Sequence, residues 1–220
     1  MIFALIGPPG SGKGTQGQFL SQKLLLPHLS TGDMLRKMVD SGAEEGKLAN
    51  EYMNNGKLVP SDLVNKIVKK CLSLAEYKKG CLLDGYPRNI EQAKFLEKIR
   101  QDIKILYFAA DDQIIIKRIL GRYNCKNCGK IYNKHYFRPK QDGICDICGS
   151  SSFSYRNDDD EAAVKRRLTE YKLETYPLVD YYQKRGHLFK IDANKTSQEV
   201  EAELDSLLLS DATNLKAHSL

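Results

Sequence analysis

Nine residues, Gly7-Pro8-Pro9-Gly10-Ser11-Gly12-Lys13-Gly14-Thr15, follow directly on an apolar run, Ile2 to Ile6, and lead into a helical pattern that starts at Lys13. No other feature of the 220 residues narrows the fold as far. A strand that ends in a glycine-rich turn and continues as a helix aims successive backbone N–H groups at one point, and the helix N-terminus adds partial positive charge there. In that context the turn is a phosphate-binding loop, with Lys13 reaching the β- and γ-phosphates as a point charge. Gly14 stands where Ser or Thr usually follows the lysine, so a direct hydroxyl ligand for Mg²⁺ is missing and Thr15 comes one residue late. The metal is then expected to rest on nucleotide oxygens and waters, with Asp84 and Asp33 as outer carboxylates.

The rest of the chain alternates in the same way. Short apolar runs at 28–30, 81–84, 103–109 and 188–192 read as buried parallel strands. Helical patterns lie between and around them at 33–40, 61–75, 90–100, 113–120, 162–183 and 198–208. Strands alternating with helices predict a three-layer α/β/α domain around a parallel sheet. Pro177 falls inside the 162–183 pattern and is expected to kink or split that helix. The tail after residue 209 has little apolar content and is expected to fray. Apolar residues make up 41% of the chain and no stretch approaches 18 uncharged apolar residues, which argues for a real core and against a membrane span. The run after Met1 is too short for a signal-peptide core, so the chain reads as cytoplasmic.

Residues 122–159 break the alternation. A structureless loop of this length inside a compact domain needs its own stabiliser, and four cysteines supply one. Cys125 and Cys128 form one C-x-x-C pair and Cys145 and Cys148 another, each followed by a glycine that allows a tight turn with backbone N–H groups aimed at sulfur. Two such knuckles sixteen residues apart indicate a closed, structural, tetrahedral metal site, with zinc favoured and iron compatible with the geometry. All four positions are filled, so the metal staples this segment and takes no part in chemistry. Cys71 and Cys81 read as core thiols, and His28, His135, His187 and His218 lie outside any ligand spacing.

The loop form resembles that of the adenylate kinases, and further blocks continue the resemblance in order over roughly residues 1–195: Ser30-Thr31-Gly32-Asp33-Met34-Leu35-Arg36, Gly56-Lys57-Leu58-Val59, Leu82-Leu83-Asp84-Gly85-Tyr86-Pro87-Arg88 with Gln92, Arg118-Ile119-Leu120-Gly121-Arg122, Arg156-Asn157-Asp158-Asp159, and Arg167. The resemblance implies a five-stranded parallel sheet in a core of 1–29, 60–121 and 160–220. It also implies a small helical AMP-binding domain at 30–59 and a zinc-containing lid at 122–159. The implied reaction is Mg·ATP + AMP ⇌ 2 ADP.

That reaction needs cations more than a base. The second pKa of a monophosphate lies near 6, so the acceptor is already largely dianionic at neutral pH. What phosphoryl transfer requires is positioning and neutralised charge, for which arginine forks are suited. By resemblance the catalytic set is Lys13, Asp84, Arg88, Arg122, Arg156 and Arg167. The ATP contacts are Gly10, Ser11, Gly12, Lys13, Gly14, Thr15, Arg122, the Ile131-Tyr132 backbone and Lys195, with Arg118 stacking on the adenine. The AMP contacts are Thr31, Arg36, Lys57, Leu58, Val59, Gly85, Arg88, Gln92, Arg156 and Arg167. Asp158 and Asp159 would organise a closed lid or neutralise nearby arginines.

The net charge of +6 is too modest to argue for nucleic acid by itself. A zinc-ribbon nucleic-acid binder would explain the cysteines but leaves the phosphate loop and the Asp84–Arg88 block without a purpose. A P-loop hydrolase would consume ATP without AMP. The expected partners are ATP, AMP and ADP, with no nucleic acid and no membrane, and the chain is expected to be a monomer.

Overall fold

A computed structural model describes residues 1–156 and 159–217, with side chains through residue 209; Asn157, Asp158 and residues 218–220, including His218, lie outside the described residues. In chain order the elements are β1 (Ile2–Ile6), α1 (Lys13–Leu24), β2 (His28–Ser30), α2 (Thr31–Asp40), α3 (Glu44–Asn54), α4 (Ser61–Leu72), a 3₁₀ turn (Ala75–Tyr77), β3 (Cys81–Asp84), α5 (Ile90–Ile99), β4 (Ile103–Ala109) and α6 (Asp112–Leu120). These are followed by β5 (Arg122–Cys125), β6 (Ile131–Asn133), β7 (Phe153–Ser154), α7 (Glu161–Glu170), a π-helical turn (Tyr171–Thr175), α8 (Pro177–Gln183), β8 (Leu188–Asp192) and α9 (Ser197–Ala217).

Five strands form one parallel sheet in the order β2-β3-β1-β4-β8, as the alternation predicts. All five β1 residues are buried, the signature of a strand covered on both faces. Successive side chains of a strand point to opposite faces, and the core divides accordingly. Ile2, Ala4 and Ile6 join Leu83, Ile103 and Ile105 on one face, under Val64 and Val68 of α4, Leu96 of α5 and Leu178 of α8. Phe3 and Leu5 join Leu82, Leu106, Phe108 and Ile191 on the other, under Leu20 of α1 and Val200 and Leu204 of α9. The chain leaves the carboxyl end of β1 beside β3 and β4, the switch point at which open α/β sheets form their crevice.

Two local outcomes differ from the sequence expectation, and a third meets it. Helix α3 carries no clear apolar stripe. It packs through Gly46, where an added Cβ would stand 2.2 Å from the Met38 carbonyl oxygen, so backbone meets backbone and hydrophobic periodicity has nothing to register. The 162–183 pattern is split at Pro177, as expected: the Tyr176 N–H reaches back five residues to the Tyr171 carbonyl at 2.8 Å, and Pro177 opens α8. A proline has no N–H to give and its ring would collide with the carbonyl four residues earlier, so the widened turn lets the chain pass. Finally, α9 continues to Ala217 where the tail was expected to fray.

Residues 122–154 carry a second, antiparallel sheet in the order β6-β5-β7. Its strands are too short for periodicity to mark them, and it has its own small core. Tyr132 stacks on Phe137 with ring centres 5.5 Å apart, while Phe153 meets Tyr123 and Tyr132 edge-on. No helix among the described residues is long and apolar enough to cross a membrane.

Candidate active site

Lys13 opens α1 just after Gly12, whose φ of 90° turns the chain from loop to helix. Its Nζ donates to the Gly7 and Pro8 carbonyls at 2.8 and 2.7 Å and lies 3.3 Å from Ser11 Oγ. Burial lowers the Lys13 pKa from 10.5 to about 7. The Asp84 carboxylate opposes that shift, and Arg88, Arg167 and Arg122 add to it. The charges of these groups therefore act on the loop lysine. Asp84 ends β3 and is mostly buried. A Cβ on Gly14 would lie 3.4 Å from Asp84 Oδ2 and 3.8 Å from Ile131 Cδ1 of β6, so the bare glycine marks the gap between sheet, loop and small sheet.

The arginines are organised by carboxylates. Arg122 holds Asp159 with two prongs, Nε to Oδ2 at 2.7 Å and Nη2 to Oδ1 at 2.5 Å, and Arg167 Nη1 reaches the same Oδ1 at 3.2 Å. Arg36 pairs with Asp33 one turn away on α2, and Arg156 Nη2 lies 3.9 Å from that carboxylate. Asp33 was expected near Mg²⁺; here two guanidiniums engage it, and its pKa stays below the usual carboxylate value because Arg36 and then Arg156 outweigh its burial. Burial and the neighbouring Arg122 and Arg36 bring Arg156 down to about 10. Five arginines and a lysine this close repel one another, and such an arrangement suits a polyanion.

Among the residues the resemblance implies for AMP, Thr31 Oγ1 donates to the Asp84 and Gly85 carbonyls at 3.1 and 2.9 Å. Arg88 Nε donates to the Gly85 carbonyl at 2.8 Å, and the Arg88 N–H donates to Gln92 Oε1 at 2.8 Å. Gln92 is buried, so its amide is oriented by this contact. The Tyr86-Pro87 bond is cis, and Tyr86 Oη donates to Asn65 Oδ1 at 2.6 Å, tying the Asp84–Arg88 turn to α4. Lys57, Leu58 and Val59 follow α3, with the Lys57 N–H on the Tyr52 carbonyl at 2.9 Å.

Arg118, Lys195 and Tyr132, which the resemblance implies for ATP, are each held by protein neighbours. Arg118 donates to the Ala193 and Lys195 carbonyls at 2.5 and 3.0 Å, and the Tyr136 ring centre lies 5.5 Å from its guanidinium carbon. Arg118 is therefore held edge-on by backbone, with Tyr136 against it. The Lys195 ammonium is paired with Glu203 at 2.7 Å, so this residue faces the Arg118 region through its carbonyl. The Tyr132 side chain is buried in the small sheet; its Oη donates to Cys145 Sγ at 3.4 Å and accepts from the Asp146 N–H at 2.8 Å. The side chain is thus committed to the small sheet. The segment is clasped to α6 by Asn133 Nδ2 on the Arg118 carbonyl, 2.7 Å, and by the Lys134 N–H on the Gly121 carbonyl, 2.9 Å.

The four cysteine sulfurs lie within 4.8 Å of one another, with Cys125–Cys148 and Cys128–Cys145 at 3.5 Å. Four thiolates at about 2.3 Å from a tetrahedral metal sit about 3.8 Å apart, so the set fits such an ion. The two knuckles are built alike. The Cys125 N–H donates to the Lys130 carbonyl and the Gly129 N–H to Cys125, while the Cys145 N–H donates to Ser150 and the Gly149 N–H to Cys145, all at 2.9 Å.

Sequence reasoning passed over Glu170 and Tyr136 and gave His28 no role. His28 Nε2 is buried without a hydrogen-bond partner among the described residues, 3.7 Å from Asp84 Oδ2. Nothing in the spacing of these three marks them, because each acts across more than 50 residues of chain or against a ring.

Comparison with known proteins agrees with this geometry. The family model described as adenylate kinase matches residues 5–187. The adenylate kinase of Rickettsia africae is 50% identical over 209 residues, 94% of this chain and 99% of its own length. Those of Rickettsia conorii and Rickettsia prowazekii are each 49% identical, over 94% of this chain and 99% of theirs. With a phosphate loop, an arginine array and an ordered series of matching blocks in one framework, the chain belongs to the adenylate kinase family.

Proposed function

We propose that this chain catalyses reversible transfer of the terminal phosphoryl group of Mg·ATP to AMP, giving two ADP. The observation that carries the reading is the arginine array itself: Arg122 and Arg167 share the Asp159 carboxylate, Arg36 and Arg156 flank Asp33, and the charges of Arg88, Arg122 and Arg167 act on Lys13 of the phosphate loop. Fixed cations placed where charge shifts between donor and acceptor oxygens stabilise the transfer without reorganising solvent. Lys13 and the loop amides hold the donor phosphates. Arg36 and Arg88 hold the acceptor phosphate, and Arg122, Arg156 and Arg167 span the transferring group.

Thr31, Gly85, Gln92 and the 57–59 segment form the acceptor-base side. Arg118, the backbone of Ile131 and Tyr132, and the Lys195 carbonyl form the donor-base side. Mg²⁺ bound with ATP supplies charge neutralisation across the phosphate oxygens, and Asp84 is the carboxylate best placed to hold it through water. Water competes with AMP as acceptor, so the 30–59 and 122–159 units act as covers that exclude it.

Zinc is the metal assigned to Cys125, Cys128, Cys145 and Cys148, with a structural role only. A cytosolic monomer completes the proposal, since a reducing compartment keeps the four thiols available. The test is ADP formation across the four donor nucleotides and several monophosphates. ADP from ATP and AMP together, with little turnover of ATP alone, is expected; ATP consumption that ignores AMP would overturn the reading in favour of a hydrolase.

A further inference from the structure

We infer that Glu170 is a positioning residue for the acceptor nucleotide, docking the turn at 56–58 onto α7; this rests on the reaction proposed above. The Leu58 N–H donates to Glu170 Oε1 at 3.0 Å across 112 residues of chain. A hydrogen bond to a carboxylate is stronger than one between neutral groups. The approach is closer than that one bond implies. Gly56 has φ +70°, and a Cβ there would lie 3.1 Å from Arg166 Cβ and 3.4 Å from the Arg167 backbone nitrogen. The turn therefore rests directly on the helix, at a position that only glycine suits.

The location of Glu170 gives the contact its use. Arg167 precedes it by one turn on α7, so the two side chains share a helix face. A few residues further on, in the π-helical turn, Thr175 Oγ1 donates to the Arg88 carbonyl at 2.7 Å. One continuous segment, 167–175, thus touches three parts of the acceptor side: Arg167 at the phosphates, Glu170 at the base-side backbone and Thr175 at Arg88. Glu170 fixes how far the Lys57-Leu58-Val59 segment stands from the arginines, and hence whether a nucleotide held by its base presents its phosphate in line. It touches no reacting atom.

The experiment measures KM for AMP and for ATP, kcat, and hydrogen exchange of the Leu58 amide in the full-length wild type, Glu170→Ala and Glu170→Gln. Each variant's thermal midpoint serves as a check of folding. In Glu170→Ala the KM for AMP is expected to rise about tenfold, with the KM for ATP within about twofold, and Leu58 exchange to accelerate. Glu170→Gln keeps an oxygen acceptor and is expected to recover most of both effects. An unchanged KM for AMP in Glu170→Ala, an equal rise for ATP, or unaltered Leu58 exchange would overturn the inference. Wild-type turnover that ignores AMP would instead sink the proposed reaction, and the exchange measurement would still decide whether Glu170 docks the turn.

Discussion

Arg122 and Asp159 form a two-pronged pair in which the carboxylate is only 6% exposed, and Arg167 shares one of its oxygens. Asp159 satisfies these two guanidiniums much as phosphate oxygens would. Removing one member of a buried pair leaves the other charge uncompensated, which costs about 3 kcal/mol. Asp159→Asn is therefore expected to lower the stability of the protein alone by about that amount. A bisubstrate polyphosphate bridging two adenosines should shrink the deficit, because its oxygens replace the lost carboxylate. Denaturant unfolding with and without that compound checks both parts, and an equal deficit in the two conditions would contradict the account.

Lys13 gives a pH signature of definite sign. Burial holds its pKa near 7 in the folded chain against 10.5 for a free lysine. Between those values the unfolded chain binds more protons, so this residue makes stability rise with pH across the window, and its destabilising effect is fully present below pH 7. Lys13→Met should flatten that component. A polyphosphate beside Lys13 restores its proton, so ATP binding at pH 8 should take up as much as about one proton per nucleotide. Calorimetry in buffers of different ionisation enthalpy reads the uptake, which should vanish in Lys13→Met. Turnover in that variant should fall about a thousandfold.

How far the chain could be read without coordinates depended on where the information sits. Strand β1 is a continuous apolar run cut by glycine, so its buried character, its end and the loop after it are all local. Val164, Leu168, Leu178 and Tyr182 likewise form a stripe that marks α7 and α8. Helix α3 escaped because it packs through Gly46 against the Met38 carbonyl, and backbone contact leaves no periodic trace. The cysteine spacing foretold the clustering of four sulfurs, yet not that Tyr132 would turn inward to donate to Cys145. Arg118 and Lys195 illustrate the other limit. Residue type and block order placed them in one region, whereas the division of labour between the Arg118 guanidinium, the Lys195 carbonyl and Glu203 exists only in three dimensions.

The knuckles of the small sheet make a prediction about metal removal. That sheet has three short strands and a core of few aromatic side chains, too small to stand without a staple. The parallel sheet has its own two-sided core. Replacing Cys125 and Cys128 with Ser should abolish bound zinc and lower the unfolding temperature of the 122–159 unit, with activity retained in part at low temperature. Metal analysis with thermal unfolding monitored at Tyr132 and Tyr123 checks this. Full zinc occupancy in the double variant would show that other residues hold the ion.

Arg88 is the residue by which the proposed acceptor and donor sites can be told apart. Its backbone is fixed at both ends, the N–H on Gln92 Oε1 at 2.8 Å and the carbonyl under Thr175 Oγ1 at 2.7 Å, and its Nε is anchored on the Gly85 carbonyl. The guanidinium thus starts from the Gly85 turn, onto which Thr31 of α2 also donates, the side proposed for the acceptor. Under the proposed reaction, truncation should weaken binding of the acceptor phosphate far more than that of the donor, which is assigned to Lys13 and the loop amides. In Arg88→Ala the KM for AMP is expected to rise about a hundredfold, the cost of losing one partner of a desolvated charge contact, while the KM for ATP changes little. Arg88→Lys keeps the charge but not the planar fork and should restore only a minor part. Initial rates with each nucleotide varied at saturation of the other decide the matter: a parallel loss for ATP and AMP would remove Arg88 from the acceptor site.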